Sequence, residues 1–85
     1  MPTDADIRQA IHESVNRIAG IAQADIRDSS TFREDLGLDS LSALEVIVDI
    51  EYAFKIRVPP ERLEGVKTVA DTIGVVREFV SAAQS

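Results

Sequence analysis

Apolar residues recur at helical spacing in three segments of this chain, a pattern that commits it to packing helix against helix. In the first segment Ile7, Ile11, Val15 and Ile18 follow one another at helical intervals, with Ala10, Ser14 and Ala19 beside them. Thr3 and Asp6 form a capping-box variant ahead of it and Gly20 provides a stop, so the spacing predicts a helix over 4–19. In the second, Leu41, Leu44, Val48 and Tyr52 mark one face, and Ile47, Ile50 and Phe54 widen it. Strand propensity is locally high at Val46-Ile47-Val48, yet length, capping and the lack of alternation favour a helix over 40–54. In the third, Val69, Ile73, Val76 and Val80, with Phe79, predict a helix over 69–82, opened by Thr68 with Asp71 and frayed from Ser81 onward.

Between the first two helices, residues 20–38 hold no sustained period. Asp25, Asp28, Ser29, Ser30 and Thr31 are turn formers, and Ile26, Phe32 and Leu36 are isolated apolar anchors. A loop this long in a small domain is uncommon and usually serves function. Ile56-Arg57-Val58 is a short extended link into Pro59-Pro60, which opens one brief helical turn over 61–64 ended by Gly65. The expected architecture is all-α: a small four-helix bundle of three long helices and one short, with a long first loop, in a single domain over residues 1–85.

With no cysteine in 85 residues, neither disulfides nor thiolate metal ligands can staple the fold, and stability rests on burying apolar side chains. The net charge of −6 disfavours nucleic acid, whose backbone requires basic contacts, and equally an anionic membrane surface. No apolar run is long enough to span a bilayer, and Asp4 and Asp6 stand where a signal peptide would be basic. A cytoplasmic monomer without membrane insertion is expected. Charge is also uneven. From Asp28 to Phe54 there are seven acidic residues against Arg33 alone, whereas from Lys55 onward five basic residues meet four acidic ones.

The most informative stretch for function is Asp35-Leu36-Gly37-Leu38-Asp39-Ser40-Leu41. Asp39 suits a helix N-cap, because its carboxylate accepts free backbone N–H groups of the first turn. Ser40 then occupies the first helical position, at the positive end of the helix dipole, where a phosphodiester is favoured. Gly37 permits a left-handed turn before the cap, and Leu36 and Leu41 flank the serine as anchors to the core. Glu45, Asp49 and Glu51 continue the acidic character along the helix.

This stretch resembles the Asp-Ser-Leu attachment motif of the acyl carrier protein family. The resemblance extends through Leu44-Glu45, Glu51-Tyr52-Ala53-Phe54, the Ile56-x-Val58-Pro59 link and Thr68-Val69, and so covers nearly the whole chain. It implies that Ser40 is esterified to 4′-phosphopantetheine drawn from coenzyme A, that Asp39 is the aspartate beside it, and that the protein carries substrates and is not itself an enzyme. It implies a partner-binding helix with Glu45 and Glu51, to which Asp49 and Leu41 are added as candidates from the same helix, facing basic surfaces of a phosphopantetheinyl transferase and of acyltransferase, ketosynthase or ligase enzymes. Leu44, Ile47, Ile50, Val58, Leu63, Val66 and Ile73 are the candidate lining of an acyl cleft. The basic Lys55, Arg57 and Arg62 leave specialised lipid and polyketide pathways open beside fatty-acid biosynthesis.

Other chemistry finds little support. His12, the one histidine, belongs beside the Ile7-Ile11-Val15 stripe, and no Gly-x-Ser-x-Gly elbow accompanies Ser40 to support a nucleophile. Asp35 to Asp39 lacks the alternating ligands and closing glutamate of a calcium loop, and no metal site is indicated. Two alternatives remain: an aminoacyl or peptidyl carrier, and an unmodified helical interaction domain that uses the same acidic face.

Overall fold

The computed structural model describes residues 2–84. Among them the chain forms helices α1 (Asp4–Ala19), α2 (Ser40–Phe54), α3 (Pro60–Leu63) and α4 (Val69–Gln84), with a 3₁₀ turn at Gln23–Asp25 and no strand longer than an isolated bridge. The short helix begins at Pro60, one residue before the expected range, because proline lacks only an N–H that the first helical position would leave unpaired. The last helix runs through Gln84, beyond the expected 82, so Ser81 to Ala83 are helical and not a frayed tail.

The helix ends follow local chemistry. Thr3 and Asp6 close a reciprocal capping box on α1, and Gly20 ends it in the left-handed region at φ 72°. Thr68 and Asp71 exchange the equivalent bonds at the start of α4. In α2 the left-handed C-terminal position is filled by Lys55, at φ 56°.

The core joins Ile7, Ile11 and Val15 of α1 to Val46 and Ile50 of α2 and to Val69, Ile73, Val76 and Val80 of α4. α1 packs against both other long helices. The long first loop contributes Ile26, Phe32, Leu36 and Leu38 to this core. It is tied down by main-chain bonds to the approach of α4: Phe32 N–H to Lys67 O, Val69 N–H to Ser30 O and Ala70 N–H to Asp28 O, around a bridge between Thr31 and Thr68. The loop therefore adds to the packed body instead of lying over it.

The expected apolar face of α2 is corrected by this packing. Leu41, Leu44, Val48 and Tyr52 are exposed at 66 %, 51 %, 39 % and 81 %, while Val46, Ile47 and Ile50 are buried. α2 is apolar around most of its circumference, so periodicity marks two arcs, and only contact with α1 decides which faces inward.

Candidate functional site

Ser40 is exposed at the first position of α2, and the loop before it is held by several local bonds. Thr31 and Asp35 exchange side-chain-to-backbone bonds at 2.8 and 3.0 Å. Leu36 N–H reaches Thr31 O and Leu38 N–H reaches Phe32 O. Gly37 takes φ 66°, and the buried Leu36 and Leu38 on either side fix the turn. Leu41 is not an anchor: its side chain points to solvent, and Leu38 takes that part.

Asp39 caps the helix, its Oδ1 accepting Ser42 N–H at 2.8 Å. That backbone donor, followed by the Ser42 side chain, holds the Asp39 carboxyl below the usual carboxylate range, so it is ionised at neutral pH. Asp39 takes up one of the free N–H groups at the helix start, and the Ser40 hydroxyl remains in the open.

An open cleft of about 170 Å³ begins at Ser40 and continues between α2 and the α3 region, lined by Phe32, Ala43, Leu44, Ile47, Leu63 and Val66. Four of the residues expected there, Leu44, Ile47, Leu63 and Val66, are on its wall. Ile50, Val58 and Ile73 are instead buried in the core, at 1 %, 7 % and 4 % exposure. Phe32 was not anticipated, and Ala43, although expected near enough to the cleft to fill it when enlarged, was not among the expected lining residues. Ala43 lies one helical turn beyond Ser40, a spacing that could have indicated it. Phe32 comes from the aperiodic loop, where no sequence signal points to it.

The acidic residues of α2 differ in their surroundings. Asp49 is bound by Arg17 and accepts the hydroxyl of buried Ser14 at 2.6 Å, which ties α2 to α1. Glu51 turns to the end of the helix and accepts Val58 N–H at 2.8 Å, which fixes the link to α3. Glu45 is exposed beside Leu41, Leu44 and Val48, with no ion pair to another described residue. His12 lies on α1 near Asp28 and Arg8. Among the described residues, no group of three or more His, Asp or Glu side chains could hold a metal ion.

Comparison with known proteins gives this geometry its context. Residues 9–76 match the family model described as a phosphopantetheine attachment site. The chain belongs to the acyl carrier protein family. It is 35 % identical to an acyl carrier protein of Acidothermus cellulolyticus over 92 % of this chain and 93 % of that one. It is 32 % identical to an acyl carrier protein of Arthrobacter sp. over the full length of both. A meromycolate extension acyl carrier protein of Mycobacterium bovis is 32 % identical over 91 % of this chain and 67 % of its own length. This carrier thus works through a 4′-phosphopantetheine group, alongside biosynthetic enzymes. An unmodified interaction domain is set aside by that membership. The exposed serine, with space on its lip-side and helix N–H groups beneath it, fits such a group.

Proposed function

We propose that Ser40 carries the 4′-phosphopantetheine arm, and that this chain presents acyl groups on it to enzymes of fatty-acid, specialised lipid or polyketide biosynthesis. The observation that carries the assignment is an exposed serine at the capped start of α2, on the mouth of an apolar cleft and within the matched attachment region. When attached, the arm supplies a thiol that holds an acyl group as a thioester. The chain's own residues do the rest. Asp39 and the Gly37 turn keep the Ser40 hydroxyl at a fixed place on the surface. During loading by a transferase, the Ser40 oxygen forms the phosphodiester and gives up its proton, and the nucleotide portion of coenzyme A departs.

Residues 1–85 act in this reading as one carrier domain in the cytoplasm. The exposed stripe of Leu41, Leu44 and Val48, with Glu45 beside it, is the surface that meets successive enzymes, including the transferase. The cleft wall of Ala43, Leu44, Ile47, Leu63 and Val66 is the proposed shelter for part of an acyl chain. Incubation with coenzyme A, Mg²⁺ and a broad-specificity transferase adds the mass of one phosphopantetheine to the wild-type chain and none to Ser40→Ala. Loading that persists in Ser40→Ala overturns the assignment.

A further inference from the structure

Four arginines are neutralised within the fold: Arg8 by Asp28, Arg17 by Asp49, Arg62 by Glu78 and Arg77 by Asp4. Arg62 also stacks over the Phe79 ring at 5.5 Å. Lys55 and Arg57 differ, as do Arg27, Arg33 and Lys67 elsewhere in the chain, but only these two adjoin the end of α2. Both are exposed, and neither side chain pairs with another described residue. They stand at the end of α2 remote from Ser40, and Arg57 lines a shallow recess with Val48, Glu51, Tyr52 and Ile56.

Tyr52 in that recess is 81 % exposed, the most exposed large apolar side chain of the helix. It continues the line of Leu41, Leu44 and Val48, spaced by three or four residues, which puts all four on one face over about 17 Å of helix. Of the two carboxylates in this half of α2, Asp49 is paired with Arg17 and Ser14, while Glu51 accepts the uncharged Val58 N–H and lines the recess with Arg57, which leaves two cations against one carboxylate at this corner. The face is therefore bipolar: acidic beside Ser40 at Asp39 and Glu45, basic at Lys55 and Arg57, with an apolar ridge between them.

We propose that Tyr52, framed by Lys55 and Arg57, is a second docking contact for an enzyme that works on the arm, and that the enzyme presents an apolar groove ending in carboxylates opposite this corner. The proposal rests on the carrier reading and adds to it the polarity of the partner. Charge complementarity selects the occupant. A uniformly basic surface would meet Glu45 favourably but would set like charges against Lys55 and Arg57, and such juxtaposition excludes partners and reverses register.

The test uses the full ¹⁵N-labelled chain before loading, repeated on the holo form, and two helical peptides of about 20 residues. Both carry a leucine ridge; one has glutamates at the end that meets Tyr52 and lysines at the other, and its counterpart has them exchanged. The glutamate-ended peptide is expected to shift Tyr52, Lys55 and Arg57 and to bind at least five-fold tighter, an advantage that falls as salt rises. Arg57→Gln should reduce the preference, and Lys55→Glu with Arg57→Glu should reverse it, each variant retaining a dispersed spectrum. Equal affinities, or shifts confined to Leu41–Glu45, overturn the proposal. Loss of the preference through concentration-dependent self-association, seen by sedimentation equilibrium, also overturns it, since the occupant would then be a second copy of this chain. A wild-type chain that fails to load at Ser40 defeats the carrier reading without altering the peptide result, so the two failures are distinguishable.

Discussion

Ser14 and Asp49 are 35 positions apart, and their hydrogen bond shows how side chains of the same type acquire different work. Ser14 is 1 % exposed and its hydroxyl donates to a carboxylate, so Ser14→Ala is expected to cost about 2 kcal/mol in urea unfolding. Glu45→Ala, at an exposed position without an ion pair among the described residues, should stay within about 0.5 kcal/mol. His12 gives a pH signature. Burial holds its imidazole below the ordinary value, Asp28 pulling upward and Arg8 downward, and its Nε2 is buried without a partner among the described residues. The unfolded chain therefore binds the proton more readily than the folded one, and stability falls as pH drops through about 6.5. The melting temperature should decline from pH 7.5 to 5.5, and less in His12→Gln. Asp28, Asp39 and Asp71, held low by Arg8 and by backbone N–H donors, contribute stability that is lost only in stronger acid. Asp39 and Ser40 were legible in the sequence because capping is local. The inward role of Asp49 was not, because its partners come from another helix.

At the scale of elements, the loop before Ser40 depends on one backbone conformation. Gly37 has a positive φ with nothing within 4 Å of where a Cβ would stand, so the cost of Gly37→Ala is conformational and not steric crowding. A loss of about 1 kcal/mol is expected by thermal or urea unfolding, with Gly37→Asn recovering part of it because asparagine tolerates this region. Helices α1, α2 and α4 could be located from period and caps, which are properties of neighbouring residues. The orientation of α2 could not. Its residues Leu41, Leu44, Val48 and Tyr52 make as regular a stripe as Val46, Ile47 and Ile50, and the choice between them belongs to the packing of α1. The bonds that tie Ser30 and Phe32 to the start of α4 were likewise invisible, since irregular backbone leaves no periodic trace.

Across the whole molecule, the cleft beside Ser40 relates the fold to its cargo. If an octanoyl chain buries four methylenes there, the gain is about 3 kcal/mol before the cost of widening the gap between α2 and α3. The octanoyl form should melt higher than the holo form, with NMR shifts at Ala43, Ile47, Leu63 and Val66. Ala43→Phe should fill the cleft and cancel the gain. Shifts confined to the neighbours of Ser40, with no added stability, would mean that the cargo stays in solvent. All of this depends on where the arm is attached, and Ser42 lies only two residues from Ser40, on the same first turn. Tandem mass spectrometry of peptides from the coenzyme A-loaded chain tests that directly. The phosphopantetheine mass is expected on Ser40, with Ser42 unmodified. Its location on Ser42, or on any residue outside the Asp39–Leu41 turn, would contradict the account.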